Sequence, residues 1–308
     1  MSADHAARRA WVSERPLALA AVLGVFRHGG GDPTYRAEPD GSVTRSAQTP
    51  DGPATLTLRC RPGQREVVAS AWGPGAQWVL DQAPALLGEH DDAGGFVAHH
   101  DVVADLIRRF SGWRMPRSGL VFDSLVPAVI EQKVTGQEAF GGYRRLVRRF
   151  GEPAPGPPGA AGLYVAPTAS GWARIPSWEY LRASVDPARS GTLMRASAVA
   201  GRLQQAATLD LPTAHRRLRA VPGIGAWTAA EVAQRALGDA DAVSFGDYHV
   251  ARDVGWALTG QPLDDAGLAD LLEPYAGHRY RVQRLVELAG LHRPRRGPRM
   301  PPRTHLPR

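Results

Sequence analysis

Cysteine is almost missing from this chain: Cys60 stands alone among 308 residues. A disulfide framework needs pairs and a thiolate-held iron–sulfur cluster needs about four ligands, so neither is built from this chain alone. The expected compartment is therefore reducing and cytoplasmic. There is no apolar run of the roughly 18 residues a spanning helix requires, and no membrane partner is expected. Met1 to Glu14 is polar, carries His5, Arg8 and Arg9, and leads into no leader-type apolar run, so no leader is expected. Lysine is nearly absent as well, with Lys133 alone against 36 arginines. No Gly-Lys-Ser/Thr phosphate loop and no Gly-x-Ser-x-Gly elbow occurs, which leaves P-loop and serine-hydrolase chemistry without support.

What is present reads as an ordinary globular protein large enough for two domains. The net charge is +7, but residues 292–308 hold six arginines and no acid, which leaves only +1 for the rest. A nucleic-acid surface in the folded part must then be a local patch. The arginine bias fits GC-rich coding and phosphate contact equally well. Residues 291–308 are expected to form a basic, disordered tail, either adding salt-sensitive DNA affinity or simply solvated.

Residues 17–80 carry a strand pattern. Val43, Ala54, Leu56, Leu58, Val67, Val68 and Val79 sit among turn signals such as Pro39-Asp40-Gly41 and Pro50-Asp51-Gly52. From about residue 99 the period becomes helical, with Val102, Val103, Leu106, Ile107 and Phe110 on one stripe. Helices are expected over about 120–133 and 137–150, then 177–185, 190–207, 213–220, 226–237, 247–258, 264–273 and 277–290. Gly151 to Gly159, rich in proline, is expected as an exposed non-helical connection. The fold class is mainly α: a β-rich α+β domain over 1–98, then a helical body over 99–290 in two lobes joined near 151–172.

Chemistry concentrates in Leu218-Arg219-Ala220-Val221-Pro222-Gly223-Ile224-Gly225-Ala226-Trp227-Thr228-Ala229-Ala230, followed by Val243-Ser244-Phe245-Gly246-Asp247-Tyr248-His249-Val250. Two glycines around Ile224 permit a tight turn between helices, with Ile224 plugged into the pair. The first amides of the second helix then face outward at the positive end of its dipole, where a phosphate oxygen is welcome. A plain glycine turn explains the same residues. Gly223-x-Gly225 follows a helix and has Thr228 where a third glycine would stand, so a dinucleotide reading fails. Asp247 lies 20 residues beyond Trp227 and is expected to open a helix, where N-capping alone would account for it. Capping and catalysis are compatible, because amides hold a carboxylate ionised and still.

These two stretches resemble the hairpin and the aspartate of the helix-hairpin-helix DNA glycosylases, and are most similar to the AlkA-type 3-methyladenine DNA glycosylases. Leu125-Val126-Pro127-Ala128-Val129-Ile130-Glu131-Gln132-Lys133-Val134-Thr135-Gly136 is similar to a helix of the same family. The resemblance covers residues 100–290 well and 17–98 loosely. It implies that Asp247 is the catalytic carboxylate and that Trp227 and Tyr248 line the base pocket. It further implies DNA contacts from Gly223, Ile224, Gly225, Ala226, Thr228 and Gln132, with Lys133 near the wedge position. The carbonyls of Arg219, Val221 and Ile224 would hold a monovalent cation; no other cofactor is implied. The partner would be double-stranded DNA with a damaged base, met by a monomer.

The reaction implied is base excision. A glycosidic bond inside a duplex is out of reach, so the nucleotide must be flipped out. Cleavage passes through an oxocarbenium-like sugar that an ionised Asp247 would stabilise. An iron–sulfur subclass is excluded by cysteine count, and a Schiff-base lyase by tryptophan rather than lysine at 227. Monofunctional hydrolysis of alkylated purines (the 3-methyladenine and 7-methylguanine class) is the expectation. A glycosylase for deaminated purines, or a DNA-binding protein without excision, are the alternatives. The last helix lacks tryptophan, so Val286 or Leu285 is expected where family members stack on the base. Arg279 and Arg281 are read as phosphate contacts or a solvated face. His90-Asp91-Asp92 and His99-His100-Asp101 lack metal-ligand spacing and read as surface polarity.

Overall fold

The computed structural model describes residues 6–60 and 65–294. Its first part is a five-stranded antiparallel sheet in the order β1-β5-β4-β3-β2. The strands are β1 (Ala7–Val12), β2 (Tyr35–Ala37), β3 (Val43–Thr49), β4 (Gly52–Cys60) and β5 (Glu66–Trp72). Helices α1 (Leu19–Leu23) and α2 (Ala76–Leu86) share an apolar core with the sheet. Leu56 and Leu58 of β4 point into it, as their alternation predicts. Two details correct the strand pattern expected over 17–80. Leu19–Leu23 is helical, because a short run of Leu, Ala and Val carries no period that separates strand from helix. Val79 lies on α2 and is buried there. The edge strand β1 went unforeseen; its Arg8 and Arg9 are the charged residues that protect sheet edges.

The remaining chain is helical. Helices α3 (Asp101–Arg109), α4 (Val121–Ile130) and α5 (Gly136–Phe150) come first. A small insertion follows, made of β6 (Glu152–Pro153), the one-turn α6 (Pro157–Ala160) and β7 (Tyr164–Val165). Then come α7 (Ala169–Arg174), α8 (Ser177–Arg182), α9 (Pro187–Ala198), α10 (Ala200–Gln204), α11 (Leu211–Arg219) and α12 (Ala226–Val232). The series closes with α13 (Val250–Thr259), α14 (Asp265–Leu272) and α15 (Arg279–Leu288). The 151–159 segment is neither free of helix nor a bare connection. Pro157 and Pro158 start α6, where a missing amide costs nothing. The Thr55 hydroxyl donates to the Pro155 carbonyl at 2.9 Å, which lays the segment against the sheet. The single helix expected over 190–207 is two, beginning earlier because Asp186 caps the helix that Pro187 opens, and broken at Val199.

Two apolar cores divide the helices. One gathers α4, α5 and α7 to α12 around Leu125, Leu146, Trp172 and Leu193. The other gathers α3, α13, α14 and α15 around Leu106, Leu268 and Val286. Between them runs the chain from α12 to α13. No helix among the described residues is long and apolar enough to cross a membrane.

Candidate active site

Helix α11 starts on the Asp210 cap and runs into the turn at 222–225, from which α12 departs. Ile224 and Val221 are buried beneath this turn, as a plug requires. Only Gly223 needs the left-handed region, with φ +95°, and a Cβ there would meet the Thr192 hydroxyl of α9 at 2.1 Å. Gly225 is different: its φ is −87°, and nothing lies within 4 Å of the space a side chain would take. The first internal bond of α12 runs from Ala229 N to Gly225 O at 3.0 Å, so the amides of Ala226, Trp227 and Thr228 have no helical acceptor. Ala226 is exposed.

Gln132, from the turn after α4, pins this hairpin. Its Nε2 donates to Gly223 O at 2.9 Å and to Thr228 Oγ1 at 2.8 Å. Thr228 is 2% exposed. Burial takes its side chain away from any DNA and leaves the expected contact to its amide, while its hydroxyl oxygen accepts from Gln132. Next to Gln132, Lys133 is exposed and adopts φ +54°, a region that a side chain with a Cβ rarely enters. At the hairpin's foot, the carbonyls at the end of α11 sit at the negative end of its dipole. Val221 O already accepts from Ile224 N at 3.0 Å, which leaves one lone pair for another ligand.

Asp247 does not open α13, which begins three residues later. It closes the preceding turn instead: its Oδ1 accepts from His249 N at 2.7 Å and Val250 N at 3.2 Å. Among the described residues its Oδ2 has no hydrogen-bond partner. Asp247 borders a cavity of about 300 Å³ shared with Trp227, Val250, Val254 and Val286. Trp227 stands two residues past the hairpin, and its buried Nε1 has no partner. The acid thus lines an open cavity rather than packed interior; residues 222–225 do not border it, and Trp227 at the start of α12 links it to the hairpin. Val286 rather than Leu285 borders the cavity from the last helix, although both belong to the same core.

Tyr248 is a correction. It is 64% exposed, does not border the cavity, and lies under Arg252, whose guanidinium sits 4.4 Å from its ring centre. The cavity wall is acidic where an aromatic one was expected: Glu131, Glu231, Asp253 and Glu287 join Asp247 there. Glu231 sits one turn from Trp227, and this i, i+4 spacing places both on one helix face. That signal was in the sequence. Burial pushes the Glu231 carboxyl above the ordinary glutamate range, against the pull of Arg235 and of the Ser244 hydroxyl. Leu291 and His292 also border the cavity, so the expected tail begins as part of the wall. His292 Nδ1 lies 3.1 Å from Asp253 Oδ2. The rest of that tail, 295–308, falls outside the described residues.

Arg279 and Arg281 are both paired with acids, Arg279 half-buried and Arg281 buried. Arg279 Nε donates to Asp241 at 2.8 Å, and Arg281, 3% exposed, donates to Asp91 at 2.9 Å. His100 Nδ1 lies 2.8 Å from the Tyr275 hydroxyl.

No family model matches the chain. Over 160 residues it is 32% identical to a Mycobacterium tuberculosis protein described as a probable bifunctional transcriptional activator/DNA repair enzyme AlkA. That stretch is 51% of this chain and 30% of the relative, so the chain spans under a third of the length of the curated relative it matches. The 3-methyladenine DNA-glycosylase of Archaeoglobus fulgidus superposes with a TM-score of 0.75 at 17% identity, covering 91% of this chain and 97% of that one. The 8-oxoguanine glycosylase/lyase of Clostridium acetobutylicum, solved with double-stranded DNA, superposes with a TM-score of 0.69 at 11% identity, covering 93% and 98%. The chain has the helix-hairpin-helix DNA glycosylase fold, with AlkA-like sequence over about half its length.

Proposed function

We propose that this protein is a monofunctional DNA glycosylase that releases alkylated purines from double-stranded DNA. One observation carries the reading: Asp247, with one carboxylate oxygen free of hydrogen bonds among the described residues, borders the same cavity as Trp227 of the helix that leaves the hairpin. In this reading the amides of Ala226 and its neighbours hold a backbone phosphate without reading sequence. Lys133 occupies the gap in the stack, and the flipped nucleotide enters the cavity, whose volume of about 300 Å³ is at the lower end of ordinary ligand pockets. Asp247 Oδ2 faces the sugar, stabilises positive charge developing at C1′, and orients the water that attacks it.

The wall chemistry favours an alkylated base. Trp227 offers a π face and the surrounding carboxylates a negative potential, and both prefer a cationic purine to a neutral one. Tryptophan stands at position 227, where a Schiff-base nucleophile would have to be lysine, and this supports hydrolysis without strand cleavage. The carbonyls of Arg219, Val221 and Ile224 suit a monovalent cation, which would stiffen the hairpin and offset phosphate charge. We read the protein as acting as a monomer.

The test is base release from methylated DNA. Asp247→Asn is expected to lower single-turnover release at least about 1,000-fold (about 4 kcal/mol) while keeping affinity for abasic-site DNA. Wild-type release by that variant overturns the assignment. A covalent complex trapped by borohydride overturns the monofunctional reading, and a panel of methylated, deaminated and oxidised bases fixes the lesion class.

A further inference from the structure

Three residues before Asp247, Ser244 is 1% exposed and every polar atom it has is engaged. Its hydroxyl donates to Glu231 Oε1 at 2.6 Å and accepts from Gln234 Nε2 at 2.9 Å and Gln283 Nε2 at 3.1 Å. Its amide donates to Gln283 Oε1 at 3.0 Å, and its carbonyl accepts from Asp247 N at 3.1 Å. A hydroxyl has one proton and two lone pairs, so this set is complete. The amide orientation of Gln283 is fixed by chemistry, since only its oxygen can accept from Ser244 N. Glu231 rises from α12 and Gln234 from the π-helical turn that continues it (Ala233–Leu237), whereas Gln283 comes from α15. Ser244 is thus the knot at which the two helical cores hold the loop that carries Asp247.

The chain of bonds continues behind Glu231. Arg235 Nη1 donates to Glu231 Oε2 at 2.7 Å, and Arg235 Nε donates to Val25 O at 3.0 Å, which ties the knot to the sheet-bearing part. Such saturation goes beyond what capping one turn needs. A carboxylate that must meet a developing charge has to be held to within about 0.5 Å, and the Asp247 side chain is held by the amides of His249 and Val250.

We infer that Ser244, clasped by Glu231 and Gln283, is the positioning residue for Asp247. The inference rests on the glycosylase reading for its activity arm and on geometry alone for its other arm. Ser244→Ala is expected to slow single-turnover base release at least tenfold while affinity for abasic-site DNA changes less than threefold. Hydrogen exchange at amides 245–250 is expected to accelerate, with exchange in α11 unchanged. Gln283→Met, which removes the acceptor for Ser244 N while keeping its shape, is expected to do the same and serves if Ser244→Ala fails to fold. Full-rate release from a loop that exchanges faster would overturn the inference. So would an equal loss of DNA affinity and melting temperature with loop exchange unchanged, which marks a merely structural residue. A wild type that frees no base from any lesion would sink the glycosylase reading, and loop exchange in the two variants would still judge the clasp.

Discussion

The short hairpin at 222–225 and the longer aspartate loop at 238–249 both connect helices, and they are held by opposite means. The hairpin is mostly a matter of local shape: Ile224 plugs the helix pair, Gly223 permits close approach to α9, and two outside side chains, Gln132 and Arg195, tie down its carbonyls. The loop buries Ala242 and Val243 in the two helical cores, but it is fastened by polar side chains from distant helices, with Arg279 on Asp241, Gln283 on Ser244 and Asp265 on Gly246. A turn that grips any phosphate needs only its own residues to be right. A turn that aims one carboxylate needs the rest of the protein to agree.

The strongest way to break the hairpin side of this contrast is Gly223→Ala. The left-handed backbone alone costs about 1–2 kcal/mol with a Cβ, and the collision with Thr192 adds to it. A total loss of about 3 kcal/mol is expected in urea unfolding, together with weaker binding to abasic-site DNA. Unchanged stability would mean that the turn is not built on this close approach.

The loop side breaks through charge. Burial would raise the Asp241 carboxyl, but donors from Arg279 and the Gly277 amide outweigh it and hold it below the ordinary value of 3.8. A folded-state pKa below the unfolded one adds stability above that value, and the stability is lost as pH falls through the folded pKa. Asp241→Asn is expected to cost about 1–2 kcal/mol at pH 7, the lower end allowing for partial exposure. The gap between variant and wild-type melting temperatures should close below about pH 4. A gap of constant size across pH 3 to 7 would assign the effect to shape instead.

Gly225→Ala sharpens the comparison within the hairpin itself. Its backbone is ordinary and the space beside it is empty, so the melting temperature should hold. A phosphate reaching the amides of α12 would meet the new methyl group. Affinity for DNA is therefore expected to fall about tenfold, or about 1.4 kcal/mol. Loss of stability without loss of binding would place the phosphate elsewhere.

The same contrast explains what the sequence could show. The hairpin is written in consecutive residues because it depends on near neighbours, whereas Asp247 was legible only through its spacing from the hairpin and the resemblance that spacing carries. The alternation in β4 was likewise readable from near neighbours, whereas the Leu19–Leu23 helix was not, being too short to show a period. Tyr248 was misplaced because its direction follows the torsion of a loop set by remote side chains. The Ser244 clasp joins residues 39 apart, and no local pattern announces it. Glu231 alone could have been found earlier, by stepping one helical turn from Trp227.

The smallest effect expected is at Lys133, and it separates strain from use. Its φ of +54° places a side chain where glycine sits more comfortably, and that cost persists only if something compensates for it. Lys133 is exposed, so packing does not compensate. Contact with DNA would. Lys133→Gly is expected to raise stability by up to about 1 kcal/mol while weakening binding to lesion-containing duplex two- to fivefold and lowering the salt dependence of binding. A variant that gains stability and binds as before would show that the turn, and not the ammonium group, keeps this residue in its strained backbone.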